Sequence, residues 1–131
     1  MPHPLMFEED DPVLARLREI ALRLPDADEK VSHGHPAFFT TKVFAYYGGS
    51  EKVGAGHRAH PSALLVLAEP AERPALRDDP RCFRPMYLGP AGWIGLDLDD
   101  QTDWTEVAEL VESSYRLTAG VRRVRLLDAA E

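Results

Sequence analysis

Val13, Leu17, Ile20, Ala21 and Leu24 recur at helical spacing near the start of the chain and predict an amphipathic helix with one stripe to bury. Asp11 stands at the N-cap position. Pro12 suits the first helical position because its missing N–H would have no intrahelical partner there, and Pro25 supplies the stop. Arg16, Arg18, Glu19 and Arg23 fall on the opposite, solvated face.

From Glu29 to about Ala68 the period shortens. Phe38–Phe39 and Val43–Tyr47 are rich in aromatic and β-branched residues and predict strands, with Thr40, Thr41 and Lys42 as the connection. Gly48, Gly49, Ser50, Gly54 and Gly56 read as a mobile turn region, a loop tip that does not match a phosphate cradle. The run Ala63–Ala68, bounded by Pro61 and Pro70, is short enough to favour a buried strand over a helix segment.

A short helix is expected from around Arg73, with Pro74 in its first turn and Pro80 at its end. Cys82–Leu88 and Trp93–Leu98 then flank the turn Gly89-Pro90-Ala91-Gly92. Ile94, Leu96 and Leu98 alternate with Gly95 and Asp97, which predicts a second hairpin with one buried face. The last clear helix starts at Asp103 as N-cap, with Glu106 three residues on. It carries Trp104, Val107, Ala108, Val111 and Tyr115 along one stripe, and Gly120 is placed to stop it. Val121–Glu131 reads as a short final helix or a frayed tail.

No repeat or linker divides the chain, so residues 1–131 form one domain. The element order is α-β-β-β-α-β-β-α. It predicts an α+β fold, a two-layer sandwich in which an antiparallel sheet of about five strands carries helices on one face.

Composition narrows the classes. A chain of 131 residues buries roughly two-thirds of the surface its unfolded form exposes, enough for a core without staples. No apolar run approaches a bilayer span, so no membrane partner is expected. Cys82 is the only cysteine, which excludes an internal disulfide and any multi-cysteine metal site; it reads as a small buried hydrophobe. The start MPHPLMFEEDD has no basic region, apolar core or small-residue cleavage site, which predicts a cytoplasmic protein. The net charge of −7 disfavours uniform coating of nucleic acid, whose non-specific affinity comes from phosphate neutralisation, yet it permits a local basic face.

The signatures GxSxG, GxGxxG, HExxH and the Walker-type phosphate loop are all missing, and no nucleophile–base pair can be named. The expectation is therefore a non-catalytic protein without a cofactor. His33 and His35 lie two apart and on a strand would share a face, a metal-ligand geometry with His57 or His60. Gly34 and Pro36 favour a bend instead, in which the histidines bond neighbouring backbone, and no metal site is assigned. Asp97, Asp99, Asp100 and Asp103 read as solvated charge. For DNA, Lys42 and Arg84 supply cations beside Tyr87 and Trp93, which could stack on bases; Arg122, Arg123 and Arg125 could add a second contact. The competing reading packs Tyr87 and Trp93 between sheet and helix, with the arginines at the surface.

Three stretches resemble the YjbR/MmcQ family: Ser32-His33-Gly34-His35-Pro36-Ala37-Phe38, then Lys42-Val43-Phe44-Ala45, then Tyr87-Leu88-Gly89 with Gly92-Trp93. Trp104 and the helix to Tyr115 are similar too. Thr41 stands where the family usually has Gly, and Pro74 interrupts the middle helix. The resemblance implies a compact α+β fold likened to the frataxin-type, CyaY-like fold, in bacterial cytoplasmic proteins commonly labelled DNA-binding. Two functions follow as expectations. One is weak, salt-sensitive DNA binding through the hairpins. The other is a protein or small-ligand adaptor, with a pocket between sheet and helices near His33, His35 and Trp93.

Overall fold

The structure is a computed structural model that describes residues 4–131; residues 1–3 of the stretch read for a secretory signal lie outside it. Helix α1 covers Pro12–Ala21. Strands β1 (Asp28–Ser32), β2 (His35–Phe39), β3 (Val43–Val53) and β4 (Gly56–Leu67) follow. Then come α2 (Arg73–Asp78), β5 (Cys82–Phe83), β6 (Trp93–Asp97), α3 (Trp104–Thr118) and α4 (Val121–Ala130). Every pairing is antiparallel, and the strand order is β1-β2-β3-β4-β6-β5.

The caps act as the sequence predicts. Asp11 Oδ1 accepts from the Val13 N–H at 2.9 Å, and Asp103 Oδ1 accepts from Thr105 and Glu106, each meeting donors that the first helical turn leaves open. Leu14, Leu17 and Ala21 of α1, Val107, Val111 and Tyr115 of α3, and Leu127 of α4 bury against Phe38, Phe44, Tyr47, Leu64, Val66, Ile94 and Leu96 of the sheet. Each fully buried leucine contributes roughly 1.5–3 kcal/mol. The two-layer α+β sandwich is thus as predicted, with the core between sheet and helices, and the segment Val121–Ala130 is a helix.

Three details differ from the sequence reading. There is a sixth strand, β1, whose residues are half-buried or exposed; a polar edge strand has no apolar alternation to announce it. Gly48, Gly49 and Ser50 lie inside β3. The chain turns later, at Gly54-Ala55 between the paired Val53 and Gly56, with Gly54 at φ +57°. The bend favoured at Gly34 is present: His33 and Gly34, at φ +52° and +86°, form the two-residue turn between the paired Ser32 and His35, so His33 and His35 do not share a strand face. Finally, β5 is only two residues long and is paired with β6, and the segment 84–92 is a broad excursion in place of a tight hairpin turn.

Candidate functional site

Directly opposed residues of antiparallel strands share a face. Ala37, Tyr46, Leu65 and Gly95 are opposed in sequence across β2, β3, β4 and β6, and Tyr46 and Leu65 are absent from the helix-side core. They mark the face that the helices leave open. The excursion 84–92 folds across this face: the Met86 N–H donates to Ser50 O at 2.8 Å, and Ser50 Oγ–H lies 3.4 Å from Met86 Sδ.

A hollow of about 560 Å3 lies under that excursion. Tyr46, Gly48, Gly49 and Leu65 form its floor, Ser32, His33 and His35 one wall, and Pro85, Met86, Tyr87 and Leu88 the other. The two floor glycines stand where the structure leaves no room for a Cβ. A Cβ on Gly48 would stand 2.6 Å from His35 Nδ1, and a Cβ on Gly49 2.7 Å from Leu65 Cδ1. Gly48 also holds φ +89°, at an irregularity where the register jumps from Tyr47–Leu64 to Gly49–His60. What the sequence offered as a loop tip is a depression in the middle of the sheet.

His35 Nδ1 is buried without a hydrogen-bond partner among the described residues. Burial holds the imidazole below its ordinary pKa; the Tyr47 backbone pulls the other way, and the charge of His33 reinforces the lowering. Ser32 Oγ lies 3.2 Å from His33 Nδ1. Burial alone holds the phenol of Tyr46, in the floor, above its ordinary pKa. Tyr87 stands at the rim, 90% exposed, with φ +68°. An aromatic residue in the left-handed region costs about 1–2 kcal/mol.

A second groove of about 290 Å3 lies on the other side of the excursion, at the β5 edge. Arg73, Arg77 and Arg84 line it together with Cys82, Phe83 and Trp93. Trp93 is packed on Tyr46 with ring centroids 5.5 Å apart, so this aromatic pair links the two depressions. Burial, then the charge of Asp79, pushes the Cys82 thiol up to about 11, which leaves no thiolate nucleophile at neutral pH.

The residues singled out in the sequence divide into separate groups. His33, His35 and Tyr87 meet in the hollow, and Arg84 and Trp93 in the groove. Lys42 lines neither. It sits in the β2–β3 connection beside Thr41, whose hydroxyl accepts from Arg123. Arg122 and Arg123 both bind Asp26, at 2.8 and 3.0 Å, and hold its carboxyl below the usual range. Between sheet and helices there is packed core, so the pocket expected there lies on the opposite face.

Sequence reasoning missed Gly48 and Gly49 as floor residues, along with Tyr46, Met86, Arg73 and Arg77. The consecutive glycines after an aromatic strand were the one available signal. Among the described residues, no group of three or more His, Cys, Asp or Glu could hold a metal. No helix there is long and apolar enough to cross a membrane.

The architecture defines a class: small α+β sandwiches with helices on one sheet face and a ligand-sized hollow on the other. Within that class the chain belongs to the YjbR family, whose model matches residues 22–117, a span that takes in both depressions. No curated protein matches the chain.

Proposed function

We propose that the protein is a non-catalytic binding domain whose ligand is a small, largely apolar molecule held in the open-face hollow. The observation that carries this reading is the Gly48–Gly49 floor. Glycine inside a strand weakens it by roughly 0.5–1 kcal/mol relative to alanine, yet two stand together here, where a Cβ on either would collide with His35 or Leu65, residues that line the hollow. The volume lies within the usual range for small-molecule sites, about 300–1,000 Å3, and the lining joins apolar Leu65, Pro85, Met86 and Leu88 to polar Ser32, His33 and Ser50.

The test is titration with a neutral fluorescent apolar probe, Nile red, against the wild type and a Gly49→Val variant that fills the floor. Saturable binding at about one probe per chain, lost in the variant, is the expected result. Absence of binding by the folded wild type, or equal binding by both proteins, sinks the reading.

DNA binding is a second reading, favoured by the exposed, strained Tyr87, which lines a surface depression together with Arg84, an arginine with no carboxylate partner among the described residues. Arg122 and Arg123 share the single carboxylate of Asp26 and so keep a net positive charge as a second contact. Fluorescence anisotropy with a short oligonucleotide at two salt concentrations tests it. Salt-sensitive binding that a Tyr87→Ala variant loses would support it; no binding at low salt would remove it.

A further inference from the structure

We propose that the groove at the β5 edge is an oxyanion site, in which Arg73, Arg77 and Arg84 hold a phosphate-type group. The inference does not depend on either reading above.

Charge pairing across the molecule is the first argument. Arg18, Arg58, Arg81, Arg116, Arg122 and Arg123 each hold a carboxylate. The chain has 22 acidic against 15 basic residues, so carboxylate partners are plentiful. Among the described residues Arg73, Arg77 and Arg84 have none; Arg16, Arg23 and Arg125 have none either, but Arg73, Arg77 and Arg84 come from two separate segments and line one groove that no acidic residue lines.

Geometry is the second argument. The Arg73 Nε–H donates to Ala68 O at 3.1 Å. Its guanidinium lies over Gly92, where a Cβ would come within 2.4 Å of Cζ, so glycine is what lets it settle there. A guanidinium carries five N–H donors; this one is fixed in place with most of them unused. Arg84 is supported in the same way, its stem lying over Gly89, where a Cβ would stand 2.4 Å from Cγ. Phe83 and Trp93 supply an apolar wall, beside which a charge-assisted hydrogen bond is stronger than in open water. Planar forks arranged around one small space suit a tetrahedral oxyanion, which accepts paired hydrogen bonds from several sides.

Isothermal titration calorimetry with inorganic phosphate, at ionic strength held constant with sodium chloride, tests the proposal. Wild type should show saturable binding. Arg77→Gln/Arg84→Gln, in which both altered residues are exposed, should fold normally by circular dichroism and bind roughly tenfold more weakly or not at all. Arg125→Gln, exposed and outside the groove, should bind like wild type.

A labelled single-stranded oligonucleotide forms a second arm. If it binds through the same arginines and inorganic phosphate displaces it, the site stands and its phosphate belongs to a nucleic acid backbone. Binding of phosphate without the oligonucleotide assigns a small phosphorylated compound. The proposal is overturned if phosphate does not bind, or binds the double variant and wild type equally. Nile red binding in the hollow is read separately and is unaffected by either result.

Discussion

Tyr47 donates its hydroxyl to Asp11 Oδ2 at 2.5 Å, while the other oxygen of the same carboxylate caps α1 through the Val13 N–H. One aspartate thus fixes the start of the first helix both to its own backbone and to the centre of the sheet, 36 residues away. Tyr47 is fully buried. Burial, then the bond to Asp11, pushes its phenol up to about 12 from the ordinary 10.0, with Ser62 pulling the other way.

That shift gives stability an alkaline limit. The native state keeps the Tyr47 proton over the interval in which the unfolded chain releases it. The stabilisation is complete below pH 10.0 and fades as pH rises toward about 12. Urea melts between pH 8 and 12 should show a steep alkaline fall in wild type. In Tyr47→Phe the fall should be shallower, from a starting stability about 1 kcal/mol lower. Tyr46 and Tyr115 are also held above the ordinary value by burial, so part of the fall should remain. Identical slopes in both proteins would show that Tyr47 does not set the limit.

Ser114 predicts a large effect from a small change. Its hydroxyl, fully buried on α3, donates to Phe44 O at 2.6 Å and accepts from the Leu67 N–H at 3.0 Å. Phe44 is the extra residue of a bulge between β2 and β3, and the regular β3–β4 pairing begins one residue on, at Ala45–Val66. The serine therefore closes the end of a strand ladder from the helix above it. Ser114→Ala leaves a buried donor and a buried acceptor without partners and should cost about 2–4 kcal/mol, measured by denaturant unfolding. A loss below about 1 kcal/mol would mean that water replaces the hydroxyl.

Two glycines with positive φ should respond differently to alanine. At Gly48 the new Cβ meets His35 Nδ1 at 2.6 Å and Pro61 O at 3.2 Å, whereas at Gly54 it meets nothing within 4 Å. Gly54→Ala should lose about 1 kcal/mol, the backbone cost alone. Gly48→Ala should lose about 2–3 kcal/mol and also bind Nile red less well. Equal losses at the two positions would show that the hollow gives way around a methyl group.

His60 joins β4 to two other strands. Its Nδ1 lies 2.7 Å from Asp97 Oδ1, its Nε2 lies 3.0 Å from Glu51 Oε1, and its ring stacks on Phe83 at 3.7 Å. Phe83 itself sits over Gly95, where a Cβ would come within 2.3 Å of the ring. His60→Phe keeps the stack and removes both hydrogen bonds, and His60→Ala removes all three contacts. The alanine variant should be about 1 kcal/mol less stable than the phenylalanine variant, and both less stable than wild type. Thermal unfolding orders the three proteins.

Local patterns determined the elements. The stripe Val13, Leu17, Ile20 and the capping residues Asp11 and Asp103 specify α1 and α3 through contacts between near neighbours, which a sequence displays. The alternation of Ile94, Leu96 and Leu98 fixes which side of β6 is buried for the same reason. Strand β1 was not legible, because its partner β2 stabilises it through backbone hydrogen bonds that leave no mark on a polar run such as Asp-Glu-Lys-Val-Ser. The candidate site depended on tertiary structure still more. A glycine announces freedom of φ or a close approach, but not which, and Gly48 needs both. Whether an arginine meets a carboxylate depends on chain segments as far apart as Arg122 and Asp26, 96 residues. Only the closed fold could pair those arginines with distant carboxylates and leave Arg73, Arg77 and Arg84 without one among the described residues, around one groove, because long-range charge pairing is set by where the backbone passes and not by spacing along it.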